Sequence, residues 1–479
     1  VSAARDWPPA LAAAALAFTA GFARLAEGGL SFLDSWCYAR VAAEMAASGD
    51  WIVPTWRGEP FLEKPPLLFW LSAALFRLLG VSEPAALALV GASTAACVLL
   101  VYWLGTRSAG PQAGLVASLL LVATPMFLRW GRTYTTDPLF AALSLAALAC
   151  AWRAGSRAAL WPAAGALAAL AVLTRGAAAL PAVAALAYLA SHRPETSSEG
   201  GRPWLWLVAA LAAFVALALP WHLLAAGRAG SAFVHTYLGA HTLERARQNL
   251  IDSPRAADPL YYLWHVARTG WPVLPFLAWG LVRLRGAWRP TGEPAGRLDR
   301  ALLVYLAAQG LMLGVVASRS PRYLLPAYPA LAVLAARGLA HGLGQTGVER
   351  LRRWGLAMAA LGALAVAVWP AHLGSARGEP FRRLARAVER EGAFALPLEV
   401  DPTLVDPWFE RAFWFYLGRS PGTNSASPSP PRAGAAAAPA SAGPRVLRVE
   451  SLGRADACQP PGCLVLERAD PYILSARSI

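Results

Sequence analysis

The densest chemistry in the sequence lies between Phe32 and Phe69. Asp34, Tyr38, Arg40, Glu44, Asp50, Arg57, Glu59, Glu63 and Lys64 fall there within fewer than forty residues. Lys64 is the only lysine of 479 residues, beside 42 arginines. An ammonium is a compact point charge on a flexible stem, suited to a phosphate oxygen. Glu63 stands directly before Lys64-Pro65-Pro66, and Asp137 closes Arg132-Thr-Tyr-Thr-Thr-Asp137-Pro138 at the mouth of an expected helix. Either acid could simply serve a helix N-terminus, as a cap or against the dipole. Brought together on one membrane face, Glu63 and Asp137 would also make a hard divalent site. Lys64, Arg132, Arg245 and Arg319 or Arg322 on that face could hold a phosphate or pyrophosphate. Charges beside membrane helices are costly to keep, which favours a functional reading of the set.

The elements that must position these groups are membrane helices. The hydrophobic share is 57% and the charged share 15%, against roughly 25% charged in ordinary soluble domains. Spans are expected at Pro9–Leu25, Ala85–Leu104, Gln112–Met126, Pro138–Trp152, a hairpin over Leu160–Ala190, Trp204–Leu224, Val266–Val282, Ala301–Val316, Tyr323–Leu339 and Trp354–Pro370. No small-residue cleavage site follows the first apolar run, which is read as a retained helix. Leu67–Leu79 is apolar but short for a crossing, and is read as an interfacial helix opened by Pro65 and Pro66. With that helix off the count there are about eleven crossings. The basic clusters Arg107, Arg153 with Arg157, Arg193 with Arg202, Arg283–Arg300 and Arg350–Arg353 then share the cytoplasmic side. The opening stretch, residues 132–137, Arg175, residues 225–264, Ser318–Arg322 and the tail fall on the other side.

The chain divides into a membrane part, residues 1–372, and an extracytoplasmic tail, 373–479. In the tail Phe381–Glu391 reads as an amphipathic helix. Ala393–Leu398, Arg445–Ser451 and Cys463–Glu467 read as strands, and the Ser/Pro/Ala/Gly-rich stretch at 420–443 as a loop that cannot build a core. Cys458 and Cys463 fit a small disulfide loop in an oxidising compartment. A zinc-type pair is the alternative, without a second pair or a nearby histidine to support it.

The order Asp34-x-x-x-Tyr38-Ala39, Glu44-Met45, Gly49-Asp50-Trp51 and Phe61-x-Glu63-Lys64-Pro65-Pro66-Leu67 resembles the bacterial aminoarabinose transferases of lipid A and their relatives, the protein O-mannosyltransferases. The resemblance continues at Thr136-Asp137, Leu173-Thr174-Arg175-Gly176, Pro220-Trp221, His241–Arg245 and Ser318–Pro326, covering roughly residues 10–370. It implies an all-α polytopic membrane protein of GT-C type, with juxtamembrane helices in the first outer loop and a small C-terminal α+β domain. It implies a polyprenyl-phosphate-linked sugar as donor, used at the extracytoplasmic face of a bacterial inner membrane. It carries the catalytic base to Asp34 and donor-phosphate binding to Lys64 and Arg245. A divalent metal, zinc or else magnesium or manganese, is carried to Glu63 and Asp137, and Tyr38 and His241 are placed in the substrate pocket. The sequence departs from the family at Asp34-Ser35-Trp36-Cys37-Tyr38, which lacks the usual second acid and arginine, and at Thr174-Arg175-Gly176, where arginine replaces lysine.

The expected reaction is an inverting sugar transfer to a hydroxyl or phosphate of a lipid or glycolipid, or to a protein hydroxyl. A transporter for a lipid-linked sugar would place charges along the bundle interior, whereas here they collect at helix ends. The net charge of +15 sits largely in short loops between spans. With no zinc finger or basic helix, it reads as topology and not as nucleic-acid binding.

Overall fold

The structure, a computed structural model, describes residues 3–25, 29–30, 32–192, 203–244, 247, 258, 260–284 and 294–368. In the C-terminal part it describes 383–384, 386–387, 398–400, 415, 445–451, 463–469 and 472–478. The fold is all-α over the membrane part. Five helical runs among the described residues are long and apolar enough to cross a membrane, and a sixth is counted if one bent pair is a single span.

Helix α1 (Ala3–Phe22) leads into α2 (Leu33–Ser48), which begins the charged stretch. A two-residue turn, Arg57-Gly58, then joins the short strands β1 (Thr55–Trp56) and β2 (Glu59–Pro60). Both turn residues have positive φ, 61° and 79°, the geometry whose twist suits a tight hairpin but which costs a non-glycine residue energy. Glu44 offsets that cost. It accepts the Arg57 and Gly58 amides at 2.7 and 3.1 Å, the Thr55 hydroxyl at 2.9 Å and Arg40 Nε at 2.6 Å.

Helix α3 (Leu67–Leu79) has the bounds expected of the interfacial helix. It buries Leu68, Phe69, Ala73 and Phe76 and packs on α2, while Leu71 and Leu78 stay exposed. Tyr134 fixes it by donating to Ser72 Oγ at 2.6 Å, and Trp70 Nε1 donates to the Trp51 carbonyl at 2.6 Å.

Helix α4 (Glu83–Ala109) is followed by α5 (Pro111–Val122) and α6 (Pro125–Gly131), which meet at 72°. The span expected over Gln112–Met126 is therefore broken. Thr124, ahead of Pro125, takes an extended conformation (ψ 111°), as residues before proline do. Helix α7 (Thr136–Ala154) carries Asp137 in its first turn. The apolar run that follows divides into α8 (Trp161–Arg175) and α9 (Leu180–Ser191) at Gly176, whose φ of 59° no helix continues. α8 ends beside the N-terminus of α7, through Arg175 and Asp137, while α9 packs on α7 and on the later helix Pro294–Val315.

Helix α10 (Pro203–Ala229) leads into a π-helical segment, Val234–Glu244. The span expected at Val266–Val282 is instead two helices, α11 (Tyr261–Thr269) and α12 (Leu274–Leu284). They part around Pro272, which cannot continue the hydrogen-bond ladder. α13 is Pro294–Val315, and a one-turn 3-10 helix, Pro321–Leu324, precedes α14 (Ala327–Val368). The two spans expected over Tyr323–Leu339 and Trp354–Pro370 thus lie in one helical stretch. No proline falls between them to interrupt it.

In the tail the described strands form one sheet of order β3-β4-β6-β5, from β3 (Leu398–Val400), β4 (Arg445–Ser451), β5 (Cys463–Ala469) and β6 (Tyr472–Ser478). Only β3 and β4 pair in parallel. β6 was not expected from the sequence. Leu384, Ala387 and Phe415 are buried in the same apolar cluster as α2 and α3, so the tail packs where the charged stretch is. Cys458 and residues 420–443 lie outside the described residues, as does the Cys463 side chain, and with them the expected disulfide.

Candidate functional site

Helix ends assemble the site. Asp34 lies in the first turn of α2 and Asp137 in the first turn of α7, where a carboxylate is favoured by the dipole. Arg175 closes α8, where a cation is favoured, and Arg322 sits in the 3-10 turn before α14. Arg322 Nη2 donates to Asp34 Oδ2 at 2.7 Å, and Arg322 Nε lies 3.8 Å from Asp137 Oδ2. Arg175 Nη1 pairs with Asp137 Oδ1. Tyr38, one turn along α2, donates to Asp34 Oδ2 at 3.4 Å. Aromatic faces hold the two guanidiniums. Phe32 lies 4.9 Å from the Arg322 carbon, and Tyr323 lies 4.6 Å from that of Arg175.

The two acids differ in access. The Asp137 side chain is 1% exposed and that of Asp34 26%. Asp34 is therefore the carboxylate that a second molecule can reach. Burial, followed by the negative charge of Asp34, pushes the Tyr38 phenol well above its ordinary range, so it stays a neutral donor. Burial works against the charge of Arg322, but Asp34 and Asp137 outweigh it and raise its pKa, so the guanidinium stays charged. The cluster balances two carboxylates with two guanidiniums, yet it is not saturated. Arg322 Nε and Nη1 and Asp137 Oδ2 are buried without a hydrogen-bond partner. Buried polar atoms are rarely left so, and such atoms suit a ligand.

Residues 63–221 match the family model for dolichyl-phosphate-mannose-protein mannosyltransferases. The chain is 28% identical over 327 residues to the undecaprenyl phosphate-alpha-4-amino-4-deoxy-L-arabinose arabinosyl transferase of Edwardsiella ictaluri, covering 66% of this chain and 56% of that protein. It is 31% identical over 371 residues to the enzyme of the same description from Pseudomonas paraeruginosa, covering 71% and 62%. The chain thus spans roughly six tenths of the length of these curated relatives. The crystal structure of ArnT from Cupriavidus metallidurans bound to undecaprenyl phosphate shares its fold, with a TM-score of 0.69, 19% identity and 96% of both chains covered. The apo structure of the same protein gives 0.69 and 20%. The match is to the superfamily of aminoarabinose transferases and polyprenyl-phosphate-sugar transferases of the GT-C fold.

The site residues expected from the sequence divide in the structure. Asp34, Tyr38, Asp137 and Arg322 meet. Glu63 lies close enough for its charge to act on Tyr38, and Lys64 Nζ donates to the Glu63 carbonyl at 3.3 Å. Arg132 points elsewhere. Its guanidinium donates to the carbonyls of Thr19 and Ala20, at 3.4 and 2.9 Å, and of Ala23, capping the end of α1. Arg319 donates to the Asp258 carbonyl. The backbone of His241 belongs to the π-helical segment, while its side chain and the whole of Arg245 lie outside the described residues.

The residues missed were Arg175, as the partner of Asp137, and the aromatic wall beside it. Gly176 leaves room for the Tyr237 hydroxyl, which a Cβ there would approach to 2.9 Å. Tyr237 in turn meets His222 Nε2 at 3.2 Å, and Trp221 Nε1 donates to the Ile52 carbonyl at 2.9 Å. Thr174-Arg175-Gly176 and Pro220-Trp221 were visible as motifs, but nothing local in them names a partner.

The residues fit a metal only in part. Asp137 offers one unpartnered carboxylate oxygen, but two guanidiniums flank that acid and disfavour a further cation there. Among the described residues no group of three His, Cys, Asp or Glu side chains is close enough to hold an ion.

Proposed function

We propose that the chain transfers one sugar from a polyprenyl phosphate to a hydroxyl or phosphate of a lipid or glycolipid at the extracytoplasmic face of a bacterial inner membrane. The observation that carries the proposal is the unsaturated Asp34–Arg322–Asp137–Arg175 cluster at helix ends. For a hydroxyl acceptor, Asp34 takes the proton as the oxygen attacks the anomeric carbon from the face opposite the phosphate. The carbon–oxygen bond to the phosphate breaks and its electron pair leaves on the phosphate oxygen, with inversion at carbon. Lys64 and Arg322 stabilise that charge. In the free protein Arg322 neutralises Asp34. A donor phosphate that draws Arg322 toward itself through its unpartnered Nε and Nη1 leaves Asp34 a stronger base, so the base is released when the donor is in place.

About eleven crossings, with the cluster and the tail outside, complete the proposal. The test of orientation is labelling of single cysteines from the outer side at 241 and at the exposed position 59 of the first loop, since Asp137 is too buried to label. Labelling only after the inner face is opened would overturn it. The test of activity is transfer of labelled sugar from undecaprenyl phosphate, the carrier in the relatives' names, with lipid and glycolipid products resolved by mass. A product on protein instead would favour a protein hydroxyl as acceptor, the reading supported by the mannosyltransferase family model over residues 63–221. A divalent ion on Glu63 and Asp137 remains a separate part of the proposal, supported by the unpartnered Asp137 Oδ2. It is tested by metal analysis of purified protein and by activity after exhaustive chelation, and full activity without any ion discards it.

A further inference from the structure

The other end of the bundle holds a second set of charges that the transfer reaction does not use. Arg297 and Arg300 stand one turn apart near the start of α13. Arg297 is 6% exposed. Its Nη2 donates at 2.7 Å to the carbonyl of Trp152, at the last turn of α7. Residues 137 and 152 of that helix lie roughly 22 Å apart at ~1.5 Å per residue, so this is the end opposite Asp137. Gly155 makes the position possible, because any Cβ there would overlap the Arg297 guanidinium.

The remaining donors of Arg297, Nε and Nη1, are buried and have no hydrogen-bond partner. The nearby carboxylate cannot serve them. Asp299 gives Oδ1 and Oδ2 to Nε and Nη2 of Arg337, which also donates to the Ser108 carbonyl at 2.7 Å. Arg300 Nε donates to the Tyr188 hydroxyl at 2.8 Å, and Arg153 to Ser156 Oγ at 2.6 Å. Asp299 is thus spent on Arg337 and offers Arg297 nothing. A buried guanidinium with one carbonyl for a partner keeps most of its desolvation penalty. An anion from outside the chain would remove it.

We propose that Arg297, with Arg300 beside it, holds the phosphate oxyanion of an anionic phospholipid headgroup between α7 and α13, at the membrane face opposite Asp34. Basic pockets between membrane helices bind such headgroups on the side where arginines collect. The same chemistry would admit free phosphate, and the test separates the two. Full-length protein purified in neutral detergent is unfolded thermally, and examined by native mass spectrometry, with added phosphatidylglycerol, phosphatidylcholine or inorganic phosphate.

Phosphatidylglycerol is expected to be retained by the wild type and to raise its melting temperature, and phosphatidylcholine to do neither. Arg297→Gln should retain about fivefold less phosphatidylglycerol, the effect of one arginine near a lipid surface. Arg153→Gln, the same loss of charge at the same end, should behave as wild type. Should Arg297→Gln fail to fold, Arg300→Gln is expected to show a smaller loss in the same direction. Equal retention by wild type, Arg297→Gln and Arg300→Gln, or an equal response to phosphatidylcholine, overturns the site and leaves Arg297 as a helix cap. A full response to inorganic phosphate alone overturns the lipid as its source. Sugar transfer is read in parallel, and the site stands whether or not the transfer reaction does.

Discussion

The two ends of the bundle solve the same electrostatic problem differently. At one end Asp299 and Arg337 form a closed pair, 1% and 6% exposed, with both carboxylate oxygens used. At the other, Asp34 and Asp137 share Arg322, while Arg175 takes the second oxygen of Asp137. The closed pair has nothing left to offer, and the neighbouring Arg297 gains nothing from it. The shared cluster keeps a reachable carboxylate and a guanidinium with two unused nitrogens. A pair whose every atom is spent is a fastening. A cluster with atoms to spare has the form of a site.

The comparison breaks most sharply at Asp34. Asp34→Asn keeps shape and can still accept from Arg322 and Tyr38, but it cannot take a proton. Transfer per folded protein is expected to fall by a factor of about 100 to 10000. The melting temperature should fall less than at Asp299, because the buried Arg322 keeps Asp137 as a carboxylate 3.8 Å away. Wild-type transfer rates in the variant would remove the base from the mechanism.

The opposite result is expected at Asp299. Asp299→Asn leaves Arg337 buried with its charge uncompensated, a loss of about 3–5 kcal/mol in stability. Specific activity of the protein that does fold should stay near wild type. Denaturation and transfer assays on the two variants together make the test, and an equal pattern in both would erase the distinction between fastening and site.

A third prediction lies between them. Lys64→Arg preserves charge but changes reach and geometry, and Lys64→Ala removes both. Loss of a charged hydrogen bond to the donor phosphate should cost roughly tenfold to a hundredfold in Lys64→Ala. Lys64→Arg should recover little of it, since the guanidinium is wider and less strongly hydrated than the ammonium. Donor binding measured apart from turnover checks this. Recovery of the wild-type rate by arginine would reduce the lone lysine to a charge at the interface.

Much of this was legible in the sequence because it is local. Leu67–Leu79 stops at Gly80 and starts after two prolines, so its bounds follow from chain chemistry alone. The collection of Asp34, Asp137, Arg175 and Arg322 at one end followed from counting crossings against arginines. Pairing was not legible. Asp137 meets Arg175 across 38 positions and Asp34 meets Arg322 across far more, and no periodicity encodes such contacts. The same limit sent Arg132 to the phosphate set, although the end of α1 claims its donors. Helix breaks were misjudged where hydropathy continues through a proline, at Pro125 and Pro272. Continuity was misjudged over Ala327–Val368, where a polar stretch remains helical.

The smallest expected effect tests how firmly the first loop is tied beside the site. Asp50 accepts the amides of Ile52 and Val53 at 2.9 and 3.3 Å, and Arg228 of α10 at 3.0 Å. Its slight burial would raise its pKa, but these amides and the guanidinium outweigh that and lower it below the ordinary carboxylate range. A carboxyl with a lower pKa folded than unfolded contributes stability above the unfolded value and loses it as pH falls through the folded value. The wild-type melting temperature should therefore drop on the acid side. Asp50→Asn should start slightly lower at neutral pH and lose less, so that the two curves converge in acid. The side chain is 40% exposed, so salt should shrink the difference at neutral pH. Parallel curves from neutral to acid would mean that Asp50 contributes no charge-dependent stability. The loop would then be held to α10 by Trp221 on the Ile52 carbonyl, and the approach to Asp34 would depend on packing and not on this ion pair.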